Sequence, residues 1–407
     1  MLNNNKEREL AYVVLVDGIE PIPGYDRVEH AIVGGWRVIV QKGQFKVGDP
    51  AIYFEIDSRV PSDKECFAFL EKRNYKVKTL KMCKTISQGL LMHASDFGWN
   101  NIKFSEDDIG IEDNEGNRHY YKEESRFLTK QLGVTYADDE DNQRKASSVD
   151  KYKKMASRHP NLFKKSWARW LMRREWGKKL MFFFFGKKKD KRSGWPSWVQ
   201  KTDEERVQNM PWILNNDEKW IATEKIDGTS TTFTMKRSHF GKKEFYVCSR
   251  NVCFDSVEKP CYYDTNVYWE MAQKYDVFNV LSTLLDKHPE DEWITIQGET
   301  YGKSVQRREY SIEGHDFAAF NLIYSSRGRV GTKEMVDTML EYGIPSVPVV
   351  EDEMKINQFE NVDAILEYAE GESQLDWKPR EGIVFRTLDG AKSFKAVSNS
   401  FLLKYHG

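Results

Sequence analysis

The sequence predicts an α+β protein in which a small all-β module precedes a larger domain built on antiparallel sheets. The first hundred residues contain short strand-like runs separated by Gly and Asp turns, which is typical of small barrels and sandwiches. From residue 203 onward, strand-like runs alternate with helix-like segments, and the chain has no internal repeat. The chain of 407 residues is also too long for a single compact domain, since a domain averages roughly 150 residues.

Composition excludes several classes of protein. Hydrophobic residues make up 40%, charged residues 31% and aromatic residues 13% of the chain, as in a well-charged globular protein. The net charge of −1 gives no overall field toward nucleic acid or membrane, so any such attraction is local. The longest apolar run, Leu180–Phe185, is far shorter than the ~20 residues that cross a bilayer. The polar N-terminus lacks the apolar stretch of a secretory signal, so we expect an intracellular protein without a membrane partner.

The cysteines indicate reduced thiols rather than a disulfide framework. Five cysteines in a chain of this length are an odd and sparse set, which favours a reducing compartment. Cys248, Cys253 and Cys261 lack the paired spacing of a zinc site and have no nearby group of histidines. A structural zinc ion is therefore not expected.

The N-terminal strands are expected to form a barrel. A Gly34-Gly35 pair interrupts the second run, where we expect a bulge or a sharp bend. Such glycines help a sheet to curl closed, which favours a barrel over a sandwich. The predicted strands are Ala11–Val16, Ala31–Val40, Ala51–Ile56, Lys76–Met82 and Gly89–Met92.

The middle of the chain changes charge abruptly. Residues 105–150 are polar and acidic, with an acidic run at Asp138–Asp141, and are predicted to be a linker or surface insert. Between Lys151 and Arg192, about sixteen Lys and Arg residues stand against two acids and are interleaved with Trp and Phe. Such a block either contacts nucleic acid or forms a solvated arm, and both interpretations stay open. Within it, Phe163–Trp176 has the spacing of an amphipathic helix.

We therefore divide the chain into three parts, which are a β-rich module (1–104), a polar linker with a basic aromatic insert (105–202) and a larger mixed domain (203–407). Helix-like spacing covers Thr265–Leu285 and Lys333–Tyr342 in the last part. Its predicted strands are Trp220–Thr223, Thr231–Met235, Phe245–Cys248, Trp293–Ile296, Phe317–Ile323 and Gly382–Arg386.

One lysine stands where chemistry is expected. In the segment Glu224–Ser230, Lys225 follows a strand and precedes an Asp-Gly turn, so its amine is presented at a strand end. A lysine acts as a nucleophile only when neutral, so its pKa must fall through burial or nearby cations. Alone, this short motif also fits a surface lysine in a β-turn.

Further polar segments follow this lysine in a fixed order. Together with the lysine motif they resemble the covalent nucleotidyltransferases, which comprise ATP-dependent DNA ligases, RNA ligases and mRNA capping enzymes. The segments are Ser249–Asn251, Gln297–Gly302, Asp316–Asn321, Arg380–Arg386 and Ser393–Lys395.

The likeness is greatest to RNA ligases and covers about residues 205–405. The run from Trp220 to Ser230 and the loop that follows Gly302 both look like RNA ligases in particular. The N-terminal segments at Gly34–Trp36, Val47–Asp49 and Tyr53–Asp57 resemble the OB module that one RNA ligase branch carries before its catalytic domain. The implied fold is thus an antiparallel-sheet nucleotidyltransferase domain behind an OB-like barrel.

The resemblance implies a three-step reaction. Lys225 would attack the α-phosphate of ATP, AMP would pass to a 5′-phosphate of RNA, and a 3′-hydroxyl would displace AMP. Lys395 would neutralise the α-phosphate and depress the pKa of Lys225. Asp227 and Glu381 would hold Mg²⁺ (or Mn²⁺), which prefers oxygen ligands.

The resemblance also implies ATP-binding and RNA-binding residues. Glu299 would bind the ribose, Arg250 the ribose or the reacting phosphate, and Phe320 the adenine. Glu224 belongs with the ATP-binding residues, whereas Phe317 is expected in the core. The nucleic-acid contacts would be Trp36, Arg386 and Lys404, although the last two could also be solvated.

Two positions depart from the family pattern. Gln297 replaces the usual Phe before Gly298, and Ser393 replaces a lysine, so Lys392 or Lys404 would have to supply the missing charge. The chain also ends soon after Lys395, where DNA ligases and capping enzymes continue into another OB domain. That leaves the group that orients pyrophosphate unassigned.

The leading hypothesis is an ATP-dependent RNA ligase that acts as a monomer on nicks in an RNA-containing duplex. Two alternatives stay open: a capping-like guanylyltransferase, and a non-catalytic RNA-binding protein built on a ligase fold. A nucleotide-dependent covalent adduct separates the enzymes from the binding protein, and the choice of ATP or GTP separates the two enzymes.

Overall fold

Antiparallel sheets dominate the computed structural model, which confirms the α+β prediction. The structure describes residues 1–3, 8–104, 108–113, 118–122, 127–136, 162, 165–185, 195–238, 241–254, 263 and 265–406. Cys261 and the acidic run Asp138–Asp141 lie outside these residues, as does most of the basic block. Among the described helices, none has the length and apolar character needed to cross a membrane.

The N-terminal strands form small sheets around two apolar clusters. The principal sheets have the orders β1-β5-β9 and β2-β3-β4, with the short pairs β7-β8 and β13-β6 beside them, and β10-β11-β12 forms a separate sheet. The strands are β1 (Ala11–Leu15), β2 (Gly18–Pro21), β3 (Val28–Val33), β4 (Trp36–Gln41), β5 (Pro50–Phe54), β6 (Ser58–Arg59), β7 (Thr79–Met82), β8 (Thr85–Gln88), β9 (Leu90–Met92), β10 (Trp99–Phe104), β11 (Asp108–Asp113), β12 (Arg118–Lys122) and β13 (Thr135–Tyr136).

The Gly34-Gly35 pair forms a hairpin turn between β3 and β4 rather than a bend within one strand. Gly34 has a φ of +56°, in the left-handed region that glycine favours. The Gly35 amide donates to the Gln208 carbonyl at 2.7 Å. A Cβ atom on Gly35 would lie 2.7 Å from the Gln208 Cα atom, so only glycine permits this approach. The hairpin tip thus docks on the segment that leads into the C-terminal domain.

The N-terminal module extends beyond the predicted boundary at residue 104. Leu128, Leu132 and Val134 are buried in the same apolar cluster as Val13 and Phe54. β13 also pairs with β6. The prediction of a linker is therefore wrong for residues 127–136, because their alternating apolar side chains complete this core.

Two larger sheets build the C-terminal part. Their strand orders are β14-β24-β23-β15-β22 and β18-β17-β16-β19-β20-β21. All the predicted strands of this part are present. The bounds are β14 (Glu205–Arg206), β15 (Lys219–Lys225), β16 (Thr229–Arg237), β17 (Lys243–Cys248), β18 (Cys253–Phe254), β19 (Trp293–Gly302), β20 (His315–Tyr324), β21 (Gly328–Arg329), β22 (Val349–Lys355), β23 (Gly382–Thr387) and β24 (Ser393–Val397).

Helices cover the outer faces of these sheets. The predicted helix over Thr265–Leu285 is two helices, because Asp276 adopts a φ of +46° and interrupts it. Phe163–Trp176 likewise contains one whole helix, Ser166–Met172, and the start of another at Glu175. The helices are α1 (Thr129–Leu132), α2 (Ser166–Met172), α3 (Glu175–Phe185), α4 (Val267–Lys274), α5 (Val277–Lys287), α6 (Thr332–Glu341), α7 (Val362–Ala369) and α8 (Asn399–Phe401).

A buried polar network joins the N-terminal module to the C-terminal domain. Glu55, which is fully buried, accepts hydrogen bonds from Tyr12 Oη at 3.0 Å, Asn209 Nδ2 at 2.7 Å and Arg8 Nη2 at 3.1 Å. Asn209 also accepts a bond from the Trp36 indole at 2.6 Å. Since an unpaired buried charge is costly, this network specifies how the two parts fit together.

The Glu55 carboxylate is ionised in this network. Burial would raise the pKa of Glu55, but the Met1 amine and Arg8 outweigh burial and lower it from 4.5 to about 2. A depressed folded-state pKa contributes stability that is present above pH ~4.5 and is lost as the pH falls toward 2. From the shift, this contribution is roughly 3 kcal/mol.

We expect Glu55→Gln to destabilise the protein by about 3–5 kcal/mol at pH 7, because it leaves Arg8 buried without its carboxylate. The variant should also lose part of the acid dependence between pH ~4.5 and 2. Urea unfolding followed at several pH values measures both. Glu20→Gln, which alters an exposed pair with Arg37, is the control and should cost less than about 1 kcal/mol. Equal stability of Glu55→Gln and the unaltered chain at pH 7 would contradict the network's role.

Candidate active site

A cavity of about 680 Å³ opens between the two large sheets and the N-terminal module. Its volume is in the range of small-molecule sites. It gathers side chains from both sheets that lie up to 191 positions apart in the sequence, from Arg206 to Val397. The predicted residues that line it are Glu224, Lys225, Asp227, Arg250, Glu299, Phe320, Glu381, Arg386 and Lys395.

Strand pairing places Lys225 beside Glu381. β15 and β23 are antiparallel, with Lys225 opposite Gly382, the residue after Glu381. The Lys225 Nζ atom lies 2.7 Å from Glu381 Oε2, and both side chains are largely buried. The register of one strand pair therefore fixes the ion pair at the centre of the cavity.

The pKa of Lys225 shifts in the direction opposite to the prediction. Burial lowers the pKa of Lys225, but the carboxylates of Glu381 and Glu299 outweigh burial and leave it raised. The expected net fall in this pKa is not present in this state, because the carboxylates around Lys225 outweigh burial. Lys225 is held as an ammonium group.

Asp227 lies in the turn between β15 and β16 with its carboxylate directed into the protein. Its backbone amide donates to Tyr310 Oη at 3.0 Å. Its Oδ2 atom is buried and has no hydrogen-bond partner among the described residues. Burial and the charge of Glu381 raise the pKa of Asp227 well above its usual range. Buried polar atoms are nearly always satisfied, so this oxygen has the character of a ligand to a group outside the protein chain.

Glu299 comes from the other sheet and completes the acidic side of the cavity. β16 and β19 pair so that Glu299 lies opposite Ser230. A Cβ atom on Gly228 would lie 2.4 Å from the Thr300 carbonyl oxygen, so glycine is needed for the turn to pass this close. Burial raises the pKa of Glu299 to about 8, and the charges of Glu381 and Asp227 add to this.

Lys395 is bound by Asp203, a residue that sequence analysis missed. The Nζ atom of Lys395 lies 2.7 Å from Asp203 Oδ1. Asp203 Oδ2 also accepts a bond from Arg250 at 3.2 Å, and Arg8 lies 4.0 Å from Oδ1. Burial opposes ionisation of Asp203, but the three cations outweigh it and hold its pKa far below the usual range. No local motif marks Asp203, because its partner lies 192 positions away.

Burial lowers the pKa of Lys395 to about 8, although Asp203 acts in the opposite direction. The positive charges of Arg8, Arg206 and Lys225 contribute to the lowering. Arg8 and Arg206 also have carboxylate partners of their own, Glu55 and Asp57, so the cations around Lys395 are paired with several acids.

The N-terminal module supplies one wall of the cavity. Arg250, from the C-terminal domain, lies with its guanidinium 5.3 Å from the centre of the Tyr136 ring. Sequence analysis did not associate this module with the cavity, because no motif spans the two parts. The lining residues that it contributes are Arg8, Asp57, Lys76, Val77, Lys78 and Tyr136.

The two phenylalanines of β20 separate as predicted. Phe317 is fully buried and packs against Phe233, with the ring centres 5.2 Å apart. Phe320 is half-buried and lines the cavity. One ring belongs to the core and the other is available to a ligand.

Two of the predicted nucleic-acid contacts are buried. Trp36 is only 1% exposed, because its side chain points into the core and its indole binds Asn209, so the prediction for Trp36 is wrong. Arg386 is 3% exposed and pairs with Glu204 at 3.1 Å, with its guanidinium 5.7 Å from the Phe320 ring centre. Arg386 lines the cavity, and its contact with a substrate phosphate stays a prediction.

The remaining predicted residues lie at the edge of the cavity or outside it. Glu224 is buried, and its Oε2 atom accepts a bond from the Gln374 amide at 2.8 Å. Lys392 pairs with Glu218 at 2.7 Å on the surface, so it does not replace the lysine missing at Ser393. Lys404 is exposed and does not line the cavity either, and its contact with nucleic acid stays a prediction.

Comparison with known proteins gives two family matches. Residues 218–406 match the RNA ligase family, and residues 10–94 match an OB-fold domain. No curated protein matches the chain in sequence.

Solved structures match nearly the whole chain. One variant of the Naegleria gruberi RNA ligase, solved with ATP and Mn, has a TM-score of 0.69 and 24% identity over 98% of this chain and 99% of that chain. A second variant with ATP and Mn has a TM-score of 0.70 and 25% identity over 98% and 100%. The Naegleria enzyme with pyrophosphate has a TM-score of 0.68 and 25% identity over 97% and 98%. The fold prediction, including the OB module, is confirmed.

We expect Asp203→Asn to lower the pKa of Lys395 further, by about 1–3 units, because it removes the adjacent negative charge. NMR titration of ¹³C-methylated lysines measures this pKa directly. Glu218→Gln is the matched control, since it removes the carboxylate from a surface lysine, Lys392, and should leave Lys395 unchanged. An unaltered pKa of Lys395 in Asp203→Asn would show that Asp203 does not hold its charge.

Proposed function

We propose that the chain is an enzyme that forms phosphodiester bonds in RNA and that it works through a lysyl-adenylate, since residues 218–406 match the RNA ligase family and residues 10–94 match an OB-fold domain. In this proposal ATP adenylates Lys225, and the enzyme then joins a 3′-hydroxyl to a 5′-phosphate. Nicks in an RNA-containing duplex are the proposed substrate. Intramolecular positioning and charge neutralisation would provide most of the catalysis, as in other phosphoryl transfers.

The observation that carries this proposal is the set of charges around Lys225. The Lys225 amine pairs with Glu381 at 2.7 Å, and the carboxylates of Glu381, Glu299 and Asp227 raise its pKa. Lys395 and Arg250 line the same cavity. A buried lysine nucleophile held by carboxylates in a cavity that also contains cations suits attack on a phosphate, because the cations can bind the anion while the acids hold the amine.

In the first step the Lys225 amine must be neutral. Its nitrogen lone pair forms a bond to the α-phosphorus of ATP, the bond from that phosphorus to the pyrophosphate oxygen breaks, and the amine proton leaves. Lys395, Arg250 and Phe320 are assigned to the α-phosphate, the nucleotide and the adenine ring. Glu299 is assigned to the ribose hydroxyls, with Glu224 at the nucleotide edge.

The acidic residues fit a divalent metal ion. Asp227 Oδ2 is a buried oxygen without a partner among the described residues, and Glu381 offers a second carboxylate beside it. Oxygen ligands of this kind suit Mg²⁺ or Mn²⁺. When bound, the ion would supply positive charge near the Lys225 amine and the phosphate, which favours the neutral amine.

The later steps reuse the same cavity. A 5′-phosphate oxygen of the RNA attacks the phosphorus of lysyl-AMP, and the Lys225 amine leaves and regains a proton. The RNA 3′-hydroxyl then attacks the adenylated 5′-phosphate, loses its proton and releases AMP. Pyrophosphate, the product of the first step, is assigned to the basic wall formed by Arg8, Lys76 and Lys78 of the N-terminal module.

The solved Naegleria structures support these assignments. Several of them contain ATP or AMP with Mn, and one contains pyrophosphate. Their variants alter a lysine and an aspartate two positions apart, and a glutamate and a lysine fourteen positions apart. The pairs Lys225 with Asp227 and Glu381 with Lys395 have the same spacings in this chain.

We expect incubation with α-labelled ATP and Mg²⁺ to label the protein, and Lys225→Ala to abolish the label. Lys219→Ala is the matched control, because Lys219 lies on the same strand but pairs with Glu353 on the surface. Gel autoradiography measures both. Label from GTP alone would favour a capping-like guanylyltransferase, and RNA binding without any label would favour a non-catalytic protein.

We expect sealing of a nicked duplex to require a ribose at the 3′-hydroxyl side of the nick. The 2′-hydroxyl is the local feature that distinguishes RNA from DNA. Matched duplexes that differ only in this sugar, tested by gel ligation assay, measure the effect. Equal sealing with a terminal deoxyribose would count against an RNA-specific ligase.

A further inference from the structure

Helices α2 and α3 form a hairpin whose largest side chains face solvent. Trp167, Trp170 and Trp176 are 47%, 49% and 54% exposed. The hairpin has its own small core, in which Ala168 and Met181 are buried. The tryptophans lie outside this core, so they are not needed to fill it. Exposed aromatic clusters of this kind mark interaction surfaces.

We name the three exposed indoles and one guanidinium of this hairpin the tryptophan platform (Trp167, Trp170, Arg174 and Trp176). Trp170 and Trp176 meet edge to face, with ring centres 6.1 Å apart and an interplanar angle of 83°. The Arg174 guanidinium lies 3.9 Å from the centre of the Trp170 ring. Trp167 is three residues before Trp170 on the same helix, which places both on one side.

Positive charge surrounds the platform. Residues 165–185 contain six Lys and Arg residues and one acid. Lys165, Arg173 and Lys179 are exposed. The surface therefore combines planar aromatic rings with cations and nearly lacks negative charge.

We propose that the tryptophan platform binds single-stranded RNA, with bases stacked on the indoles and phosphates neutralised by the surrounding cations. Proteins that bind single strands combine these two features, and each stacked base contributes about 1–3 kcal/mol. The proposal goes beyond the proposed function, because the platform would hold an unpaired segment of the RNA outside the nicked duplex, and it rests on RNA being the substrate of the enzyme.

Charge placement favours RNA over a lipid surface. A helix that lies in a bilayer interface separates an apolar face from a charged face. Here Arg174 lies directly on the ring of Trp170, so the aromatic face is itself cationic. A stacked guanidinium next to an indole suits a base and its phosphate, whereas insertion of this face into acyl chains would bury the charge.

The hairpin is joined to the catalytic cavity by the chain that follows it. From residue 195 the chain is docked on the C-terminal domain, with the Trp198 ring 5.4 Å from that of Tyr246 and the Gln200 carbonyl bonded to Gln297. Three residues later, Asp203 binds Lys395. Ten Cα steps separate Phe185 from Trp195 and span at most about 36 Å, and α3 is itself about 16 Å long. A strand held on the platform therefore stays within roughly 50 Å of the docked segment.

The test measures RNA affinity and adenylation separately in the full chain. Binding is followed by fluorescence anisotropy with labelled oligo(U) RNA. The triple variant Trp167→Ala, Trp170→Ala and Trp176→Ala should weaken binding by at least ~10-fold, since a tenfold change corresponds to about 1.4 kcal/mol and each stack exceeds or approaches that value. Labelling of Lys225 by ATP should not change, because the platform plays no part in the first step.

Further variants separate stacking from charge and from misfolding. Replacing the three tryptophans by Phe should retain most of the affinity, because a phenyl ring still stacks. Arg173→Ala with Arg174→Ala should reduce the slope of log affinity against log salt by about 1.4. Trp212→Ala, which removes a tryptophan that is 60% exposed elsewhere, is the control and should bind normally.

The outcomes distinguish this proposal from the proposed function. Normal RNA affinity in the triple Ala variant, with normal labelling by ATP, overturns the platform and leaves the ligase mechanism intact. Loss of binding to phosphatidylserine vesicles in that variant, with normal RNA affinity, overturns it in favour of a membrane surface. Weakened RNA binding in a chain that no nucleotide labels supports the platform but removes the proposed function.

Discussion

The ion pair between Lys225 and Glu381 is the interaction on which the cavity depends. Neither charge could remain buried alone, because the cost of an isolated ion exceeds what packing around it returns. The pair exists because β15 and β23 pair antiparallel in one particular register. If β15 slipped by one residue relative to β23, Lys225 and Glu381 would point to opposite faces of the sheet. The remaining charges follow the same constraint: Asp203 pairs with Lys395, and Glu204 pairs with Arg386.

The N-terminal module is part of the site rather than an appendage. Its Arg8 belongs both to the Glu55 network and to the cations around Asp203. Val397 and Leu402, from the end of the chain, are buried in the module's apolar core beside Tyr12 and Trp36. The segment that carries Lys395 is therefore held by both parts, and the position of the module determines the charge balance of the basic wall.

Short sequence motifs predicted those residues of the site that lie within the motifs themselves. Lys225, Glu299, Glu381 and Lys395 stand in recognisable segments at strand ends or within strands, so their order alone brought them together. Asp203 stands in no such segment, because its role arises from contacts made across the whole fold. The direction of the Lys225 pKa shift could not be predicted, since it depends on which carboxylates surround the amine and which acid occupies Lys395.

The error at Trp36 has a different cause. The family resemblance implied that Trp36 contacts nucleic acid, but Trp36, Val38 and Val40 alternate along β4 and all point into the core. The alternation of apolar residues along this strand predicts a buried Trp36, whereas the prediction of a nucleic-acid contact followed the family resemblance instead. The extent of the N-terminal module was missed for a similar reason: residues 127–136 are too short a run to stand out until the core that they complete is visible.

The two-residue strand β14 also protects the edge of its sheet from pairing with strands of other molecules. It pairs in parallel with β24, and this pairing covers backbone N–H and C=O groups of β24 that would otherwise be exposed at the sheet edge. A fragment that began at residue 218, where the family match starts, would lack both this cover and the acid that neutralises Lys395. Such a fragment would expose the edge of β24 and would leave Lys395 without its acidic partner. The minimal folding unit of this catalytic domain therefore begins before residue 218.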